Sequence, residues 1–211
     1  MQQISQLFRP NQRIYVAGSS NEPTGLLKAL AQADLPGNLQ FVQFPLPGLN
    51  QTDFTQFNDS ATATTFFMSS ALARGDASRV HYLPMQMRTT FDYLGQNIDV
   101  YLLQVAYDAD GKLRVGPNVD FHESVLAQNP IVIAQLNPSV VAPAGSPLMN
   151  PSLIDAMFES EEAPPPLAAA TIDDAAQEIG RLVAALVRDG DCLQTGIGAI
   201  PAAILNQLTD K

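Results

Sequence analysis

The sequence predicts an α/β protein with an open, mainly parallel sheet covered by helices on both faces. Two observations carry this. Short runs rich in β-branched and aromatic residues alternate along the whole chain with stretches whose apolar residues recur at helical spacing. One run, Asp99-Val100-Tyr101-Leu102-Leu103-Gln104-Val105, is almost continuously apolar, as a strand buried on both faces must be, and is therefore central. No repeat of solenoid period interrupts the alternation.

In chain order, Arg13 to Ala17 is the first strand. Gly18 to Pro23 closes it, and Leu26, Leu27 and Leu30 follow at helical spacing. Ser20 or Asn21 is the expected cap of that helix, with Pro23 in its first turn, and Pro36-Gly37 lies beyond its end. Leu39 to Phe44 is the second strand and Thr62 to Met68 the third, with a turn or short helix over 69–75. Val80 to Leu83 is a short fourth, and Met87, Phe91 and Leu94 mark an amphipathic helix after it. Beyond the central run come a turn at 107–112, the short run Leu113 to Val115, a helix from Asp120 to Gln128, and a strand over Ile131 to Asn137.

Three segments result: an α/β domain over 1–158, an acidic proline-rich connection over 159–170, and a helix, strand, turn and helix over 171–211. In the last, Ile172, Ala176, Ile179, Leu182, Val183, Leu186 and Val187 share one helical face, Thr171 caps, and Gly190 stops the helix.

The 211 residues, 46% of them hydrophobic, suffice for a substantial core. Eleven basic against twenty-one acidic residues give a net charge of −10, which argues against nucleic acid or an anionic membrane as partner. There is no apolar run long enough to span a bilayer and no signal-peptide pattern at the start, and the single cysteine fits a reducing compartment. The expected location is the cytoplasm.

Few side chains suggest chemistry on their own. Cys192 reads as a buried core thiol, since no histidine is near it in sequence. His81 and His122 have no metal-ligand spacing and read as a strand residue and a first-turn residue, so no metal is expected. Ser19 and Ser20 lie outside any nucleophile-elbow pattern and read as capping groups. Glu22 either complements the following helix dipole or lines a cleft at the strand ends. Arg74 and Arg88 are scarce cations that either pair at the surface or meet an anionic substrate group.

The stretch with most content is Gly196-Ile197-Gly198-Ala199-Ile200, between the β-like run Asp191 to Thr195 and a helix carrying Pro201 in its first turn. Glycines there let a ligand approach the backbone, and the unpaired N–H groups of the first helical turn suit an oxyanion or phosphate.

Leu193-Gln194-Thr195-Gly196-Ile197-Gly198-Ala199-Ile200-Pro201-Ala202-Ala203-Ile204-Leu205 resembles the L-Q-x-G-I-G-x-I-P-x-A-hydrophobic-L stretch of the acetyl-CoA hydrolase/transferase family, whose members include 4-hydroxybutyrate and succinyl-CoA:acetate CoA-transferases. Glu22-Pro23-Thr24-Gly25-Leu26-Leu27-Lys28-Ala29-Leu30 is similar to the family's x-E-P-x-x-L-L-x-x-L pattern. Asp99 to Val105 and Gly111 match a further strand and turn, although Ala106-Tyr107 stands where the family has S-P-P. The resemblance implies a cytoplasmic enzyme of acetate metabolism, a CoA-transferase or an acyl-CoA hydrolase, that passes through a glutamyl-CoA thioester resolved by a second carboxylic acid or by water. Residues Gly196, Ile197, Gly198, Ala199 and Ile200 would then contact the acyl-CoA. It implies no catalytic residue within 1–211: the nucleophilic glutamate is expected beyond residue 211, on a C-terminal half of the same enzyme, and these residues alone are expected to be inactive. The implied partners are an acyl-CoA, a small carboxylic acid, that second half, and another copy in a homodimer. The alternative is a non-catalytic α/β module that uses the same glycine turn to hold a phosphate or CoA ligand.

Overall fold

The computed structural model describes residues 1–163, 166 and 168–210. The chain divides into two compact units, Met1–Pro166 and Leu167–Lys211.

The first unit is built on one eight-stranded sheet. In chain order its strands are β1 (Arg13–Val16), β2 (Gln40–Gln43), β3 (Thr62–Thr65), β4 (Val80–Tyr82), β5 (Val100–Tyr107), β6 (Leu113–Val115), β7 (Ile131–Leu136) and β8 (Ala156–Glu159). Their order across the sheet is β4-β3-β2-β1-β5-β7-β8. All these neighbours pair in parallel, while β6 folds back antiparallel on β5 through the turn at Gly111. The expected fold class is therefore the observed one, and β5 is interior as its apolar run requires.

Helices α1 (Gln2–Ser5), α2 (Thr24–Leu30), α3 (Ser70–Arg74), α4 (Met87–Leu94) and α5 (His122–Leu126) complete the unit. On one face Leu26, Leu27, Leu30 and Leu72 pack with Ile14, Val16, Phe41, Leu102 and Ile133. On the other, Leu94, Phe121 and Val125 pack with Tyr15, Val42, Tyr101, Leu103 and Val132. Alternation along each strand sends successive side chains to opposite cores, and a sheet so covered must have apolar strands.

Four details of the first unit differ from expectation. Ser19–Asn21 forms a 3₁₀ turn and Pro23 occupies the N-cap of α2, so neither Ser20 nor Asn21 caps it. The helix expected over 120–128 is limited to His122–Leu126. The third strand ends at Thr65, where the chain turns to let Phe66 into the core and leaves Phe67 and Met68 exposed. Strand β8 was not foreseen, and its last residue, Glu159, falls at the start of the connection expected over 159–170; Pro164, Pro165 and Leu167 of that connection lie outside the described residues.

The second unit consists of α6 (Asp174–Ala184) and α7 (Ala199–Asn206). Asp173, not Thr171, caps α6: its carboxylate accepts a hydrogen bond from the Ala176 N–H at 2.8 Å. The helix ends at Ala185, five residues before Gly190. The two helices meet through small residues, Ala176, Gly180 and Ala184 on α6 and Ala203 on α7, all buried. Ile179, Leu182 and Leu186, expected to face inward, are instead exposed, because the four-residue spacing of the small side chains lets the backbones approach on that side. Residues 191–195 form no strand among the described residues, since a lone β-like run with no neighbour has no ladder to join. Cys192, expected in a core, is exposed there.

Candidate functional site

Strand order decides where a site can form in the first unit. Successive parallel strands step away from β1 in one direction through β2, β3 and β4, and from β5 onward in the other. Open sheets with such a reversal hold ligands in the crevice at the carboxyl ends of the strands flanking it, here β1 and β5.

Those ends carry a row of buried amides on the α2 face. The Gln43, Gln104 and Gln135 side chains project from β2, β5 and β7. Gln135 accepts a hydrogen bond from the Leu26 N–H at 2.8 Å and donates to Gln104 Oε1 at 3.0 Å. The same oxygen accepts from Asn137 Nδ2 at 3.1 Å. Gln43 Nε2 donates to Glu22 Oε2 at 2.7 Å. Amides suit this row because each offers both a donor and an acceptor, so a chain of them satisfies itself without water.

The loop after β1, residues 18–23, sits over this row. Asn50 clamps Ser19 at both backbone groups: its Oδ1 accepts from the Ser19 N–H at 2.7 Å and its Nδ2 donates to the Ser19 carbonyl at 3.0 Å. From the other side Asn118 Nδ2 donates to the Gly18 carbonyl at 3.2 Å and to Asp120 Oδ2 at 2.5 Å. Ser19 and Asp120 both have positive φ, +52° and +26°, conformations that a residue with a Cβ holds only when its surroundings impose them.

Glu22 is 5% exposed. Besides Gln43, Thr52 donates to its Oε1 at 3.3 Å. Burial pushes its carboxyl above the usual range, against the pull of hydrogen bonds from Gln43, Asn50 and Thr52. Of the two roles expected for Glu22, complementing the helix dipole or lining a cleft at the strand ends, its carboxyl position in the buried amide row at the strand ends suits the second. Burial also raises Asp120, against the Asn118 hydrogen bond, and lowers His122, whose Nδ1 lies 3.2 Å from the Tyr101 hydroxyl.

Among the remaining candidates, His81 is an exposed strand residue and His122 opens α5. Ser19 and Ser20 are not capping groups; the first is bound through its backbone and the second gives its carbonyl to Gln104 Nε2 at 3.5 Å. Arg88 lies 3.9 Å from Asp92 at the surface, and Arg74 is exposed in the last turn of α3. No group of acidic, cysteine or histidine side chains suited to a metal occurs among the described residues. No helix among them is long and apolar enough to cross a membrane.

In the second unit Gly198 is the N-cap of α7, at φ +139°, which admits essentially only glycine, and no side chain caps the helix. Gly196, Ile197 and Ile200 are exposed, Ile197 at 67%. A Cβ added to Gly196 or Gly198 would meet nothing nearer than Pro201, at 4.0 and 3.9 Å. The glycines thus leave an open approach to the first-turn N–H groups of Ala199 and Ile200; Pro201 has none to offer.

No model of a known protein family matches the sequence. Two curated proteins do. The succinyl-CoA:acetate/propanoyl-CoA:succinate CoA transferase of Fasciola hepatica is 26% identical over 209 residues, covering 93% of this chain and 43% of that protein. The 4-hydroxybutyrate coenzyme A transferase of Clostridium kluyveri is 33% identical over 115 residues, 54% of this chain and 27% of that protein. These relatives are CoA-transferases. The chain spans less than half the length of either. Among solved structures, RipA from Yersinia pestis superposes with a TM-score of 0.84 over 98% of this chain and 53% of its own, at 22% identity, a likeness of fold.

The resemblance read from Gly196 to Leu205 and from Glu22 to Leu30 thus points to the same group of enzymes as these relatives. The amide row was not legible. Gln43, the Asn50 and Thr52 pair, and Asn118 reach the crevice from three separate segments, and no spacing in the sequence links them.

Proposed function

We propose that this chain is the N-terminal part of a CoA-transferase that moves CoA between small carboxylic acids through a glutamyl-CoA thioester. The observation carrying this reading is the match, over 93% of the chain, to a transferase acting on succinyl-CoA, acetate and propanoyl-CoA. In this reading residues 1–158 are the N-terminal domain, 159–170 connect, 171–211 begin the second domain, and the nucleophilic glutamate lies beyond residue 211. The assembled enzyme works as a homodimer in the cytoplasm.

The chemistry balances without a metal or redox partner. The glutamate carboxylate attacks the acyl-CoA carbonyl and expels CoA thiolate, leaving an acyl-glutamyl anhydride. The thiolate attacks the glutamyl carbonyl and releases the first acid as its carboxylate, giving the glutamyl-CoA thioester. An acceptor carboxylate reverses both steps. Each addition places negative charge on a carbonyl oxygen. The role proposed for Gly196, Ile197, Gly198, Ala199 and Ile200 is to bring backbone N–H groups to the thioester, where each well-aimed donor is worth about 3 kcal/mol. The open approach over Gly196 and Gly198 and the uncapped start of α7 support that role.

The test is an assay of the full-length gene product with acetyl-CoA and succinate or propionate, with borohydride reduction of the acyl-CoA-treated enzyme in a parallel sample. The reading expects CoA transfer and loss of activity on reduction, with one glutamate converted to an alcohol, and no turnover by residues 1–211 alone. Transfer without a borohydride-sensitive intermediate refutes the covalent route; absence of both transfer and CoA release refutes the enzyme.

A further inference from the structure

Three departures from ordinary polar and backbone chemistry fall within the four residues 19–22. Ser19 is held at φ +52°, and the Glu22 carboxyl is buried. Between them Asn21 is 1% exposed, and neither its Oδ1 nor its Nδ2 has a hydrogen-bond partner among the described residues. Buried amides are almost always paired, because an unpaired one has lost its water and gained nothing. Among the described residues the Tyr15 hydroxyl and one Arg13 guanidinium nitrogen are also buried without a hydrogen-bond partner, and Asn21 is the amide so placed, in the loop at the switch point of the sheet, where open sheets bind ligands.

Its surroundings say what it lacks. The base of the loop is well held, with Ser19 gripped by Asn50 and the Gly18 carbonyl by Asn118. Asn21 alone is left against Gly116: a Cβ there would lie 2.1 Å from its Oδ1 and 3.3 Å from its Nδ2, so the amide fills the space a side chain would take. A carboxamide presents one acceptor and a donor pair side by side. An anion would use only the donors and would sit beside Glu22, with Asp120 on the adjoining loop also bound to Asn118. A neutral secondary amide uses both groups and suffers no repulsion.

Resting on the CoA reading above, we propose that Asn21 binds an amide of the pantetheine arm of the acyl-CoA. It exchanges its unpartnered place against Gly116 for an amide–amide pair as its side chain turns out of the space it fills there. The orphaned amide favours that exchange, since pairing it recovers the hydrogen bonds it lacks against Gly116.

The test is an NMR titration of the ¹⁵N-labelled 211-residue chain with pantetheine, with the Asn21 side-chain pair assigned by its absence in Asn21→Asp. Pantetheine should shift that pair and the Gly116 N–H, and Asn21→Asp should weaken binding about tenfold with an unchanged circular dichroism spectrum. Sodium acetate at equal concentration should shift neither. Shifts elsewhere with Asn21 unmoved overturn the proposal, as does a response of Asn21 to acetate or a titration with no shifts at all. If Asn21→Asp does not fold, the Gly116 N–H and the wild-type side-chain pair decide. The transfer assay of the full-length enzyme judges the CoA reading separately.

Discussion

Gly180→Ala separates two opposed effects in the second unit. In an isolated helix this change stabilises by about 1 kcal/mol, because glycine is the poorer helix former. Here the new Cβ would lie 2.7 Å from the Ala203 carbonyl carbon, 2.8 Å from its oxygen and 2.9 Å from its Cβ. Carbon atoms prefer roughly 3.5–4.0 Å, so α6 and α7 must part by about 1 Å. Backbone atoms cannot swing aside as a side-chain end can, and such overpacking costs roughly 1–3 kcal/mol. The net expectation is a loss of about 1 kcal/mol, a separation of about 2 kcal/mol from propensity alone. Native-state hydrogen exchange is the suitable assay, since it reports opening of each unit by itself. Amides of α6 and α7 should exchange about fivefold faster, those of β5 unchanged. Gln177→Ala, on the exposed side of α6, is the control for propensity. Slower exchange in Gly180→Ala would refute the close contact.

Further outcomes follow from the charged and reactive groups. Glu22 has its carboxyl raised by burial, so the folded state holds a proton that the unfolded chain has released, and stability falls as pH rises from the ordinary carboxylate range through the folded value. Glu22→Gln should therefore raise Tm at pH 7 and make little difference at pH 4; equal shifts at both would refute the assignment. Asp108 behaves oppositely. The Arg114 guanidinium, 2.5 Å away, and the N–H groups of Lys112 and Asp110 hold it below its usual value, so its contribution is present near neutrality and lost as pH falls through that depressed value. Asp108→Asn should flatten the acid limb of a Tm-against-pH curve, and an unchanged limb would count against the pairing. Cys192 is exposed, so a thiol reagent should titrate one equivalent in the native chain; no reaction before unfolding would contradict its placement.

What could be read from the sequence depended on whether a feature is local. The run Asp99 to Val105 announced a strand buried on both faces, and Val100, Leu102, Leu103 and Val105 each have 0% exposure in β5. The helical spacing predicts α6, and of its expected inward face Ala176 is buried while Ile179, Leu182 and Leu186 are exposed. Its large apolar residues recur at helical spacing and dominate any periodicity, whereas the contact with α7 is made by Ala176, Gly180 and Ala184, whose value lies in their small size. Strand β8 escaped notice because Ala156-Met157-Phe158-Glu159 is only four residues long and exposes alternate side chains at the sheet edge. In the site, Glu22 was visible through its place before Pro23, and the Gly196 to Ile200 turn through its glycines. Asn21 carried no signal. Its lack of a partner arises from its packing against Gly116, far along the chain, and sequence spacing does not encode that.

The place of β1 in the sheet bears on how the chain is made. Its two neighbours are β2, which follows shortly after, and β5, where Ile14 pairs with Val100. A ribosome adding about 5–20 residues per second would finish β2 well before the partner on the other edge exists, leaving β1 half-paired for roughly 3–11 s. During that interval the Ile14 and Val16 strand presents an open parallel edge to any other nascent chain on the same message. Slow synthesis between Gln43 and Val100 should lower the soluble yield, and a trigger-factor-like holdase over this stretch should restore it.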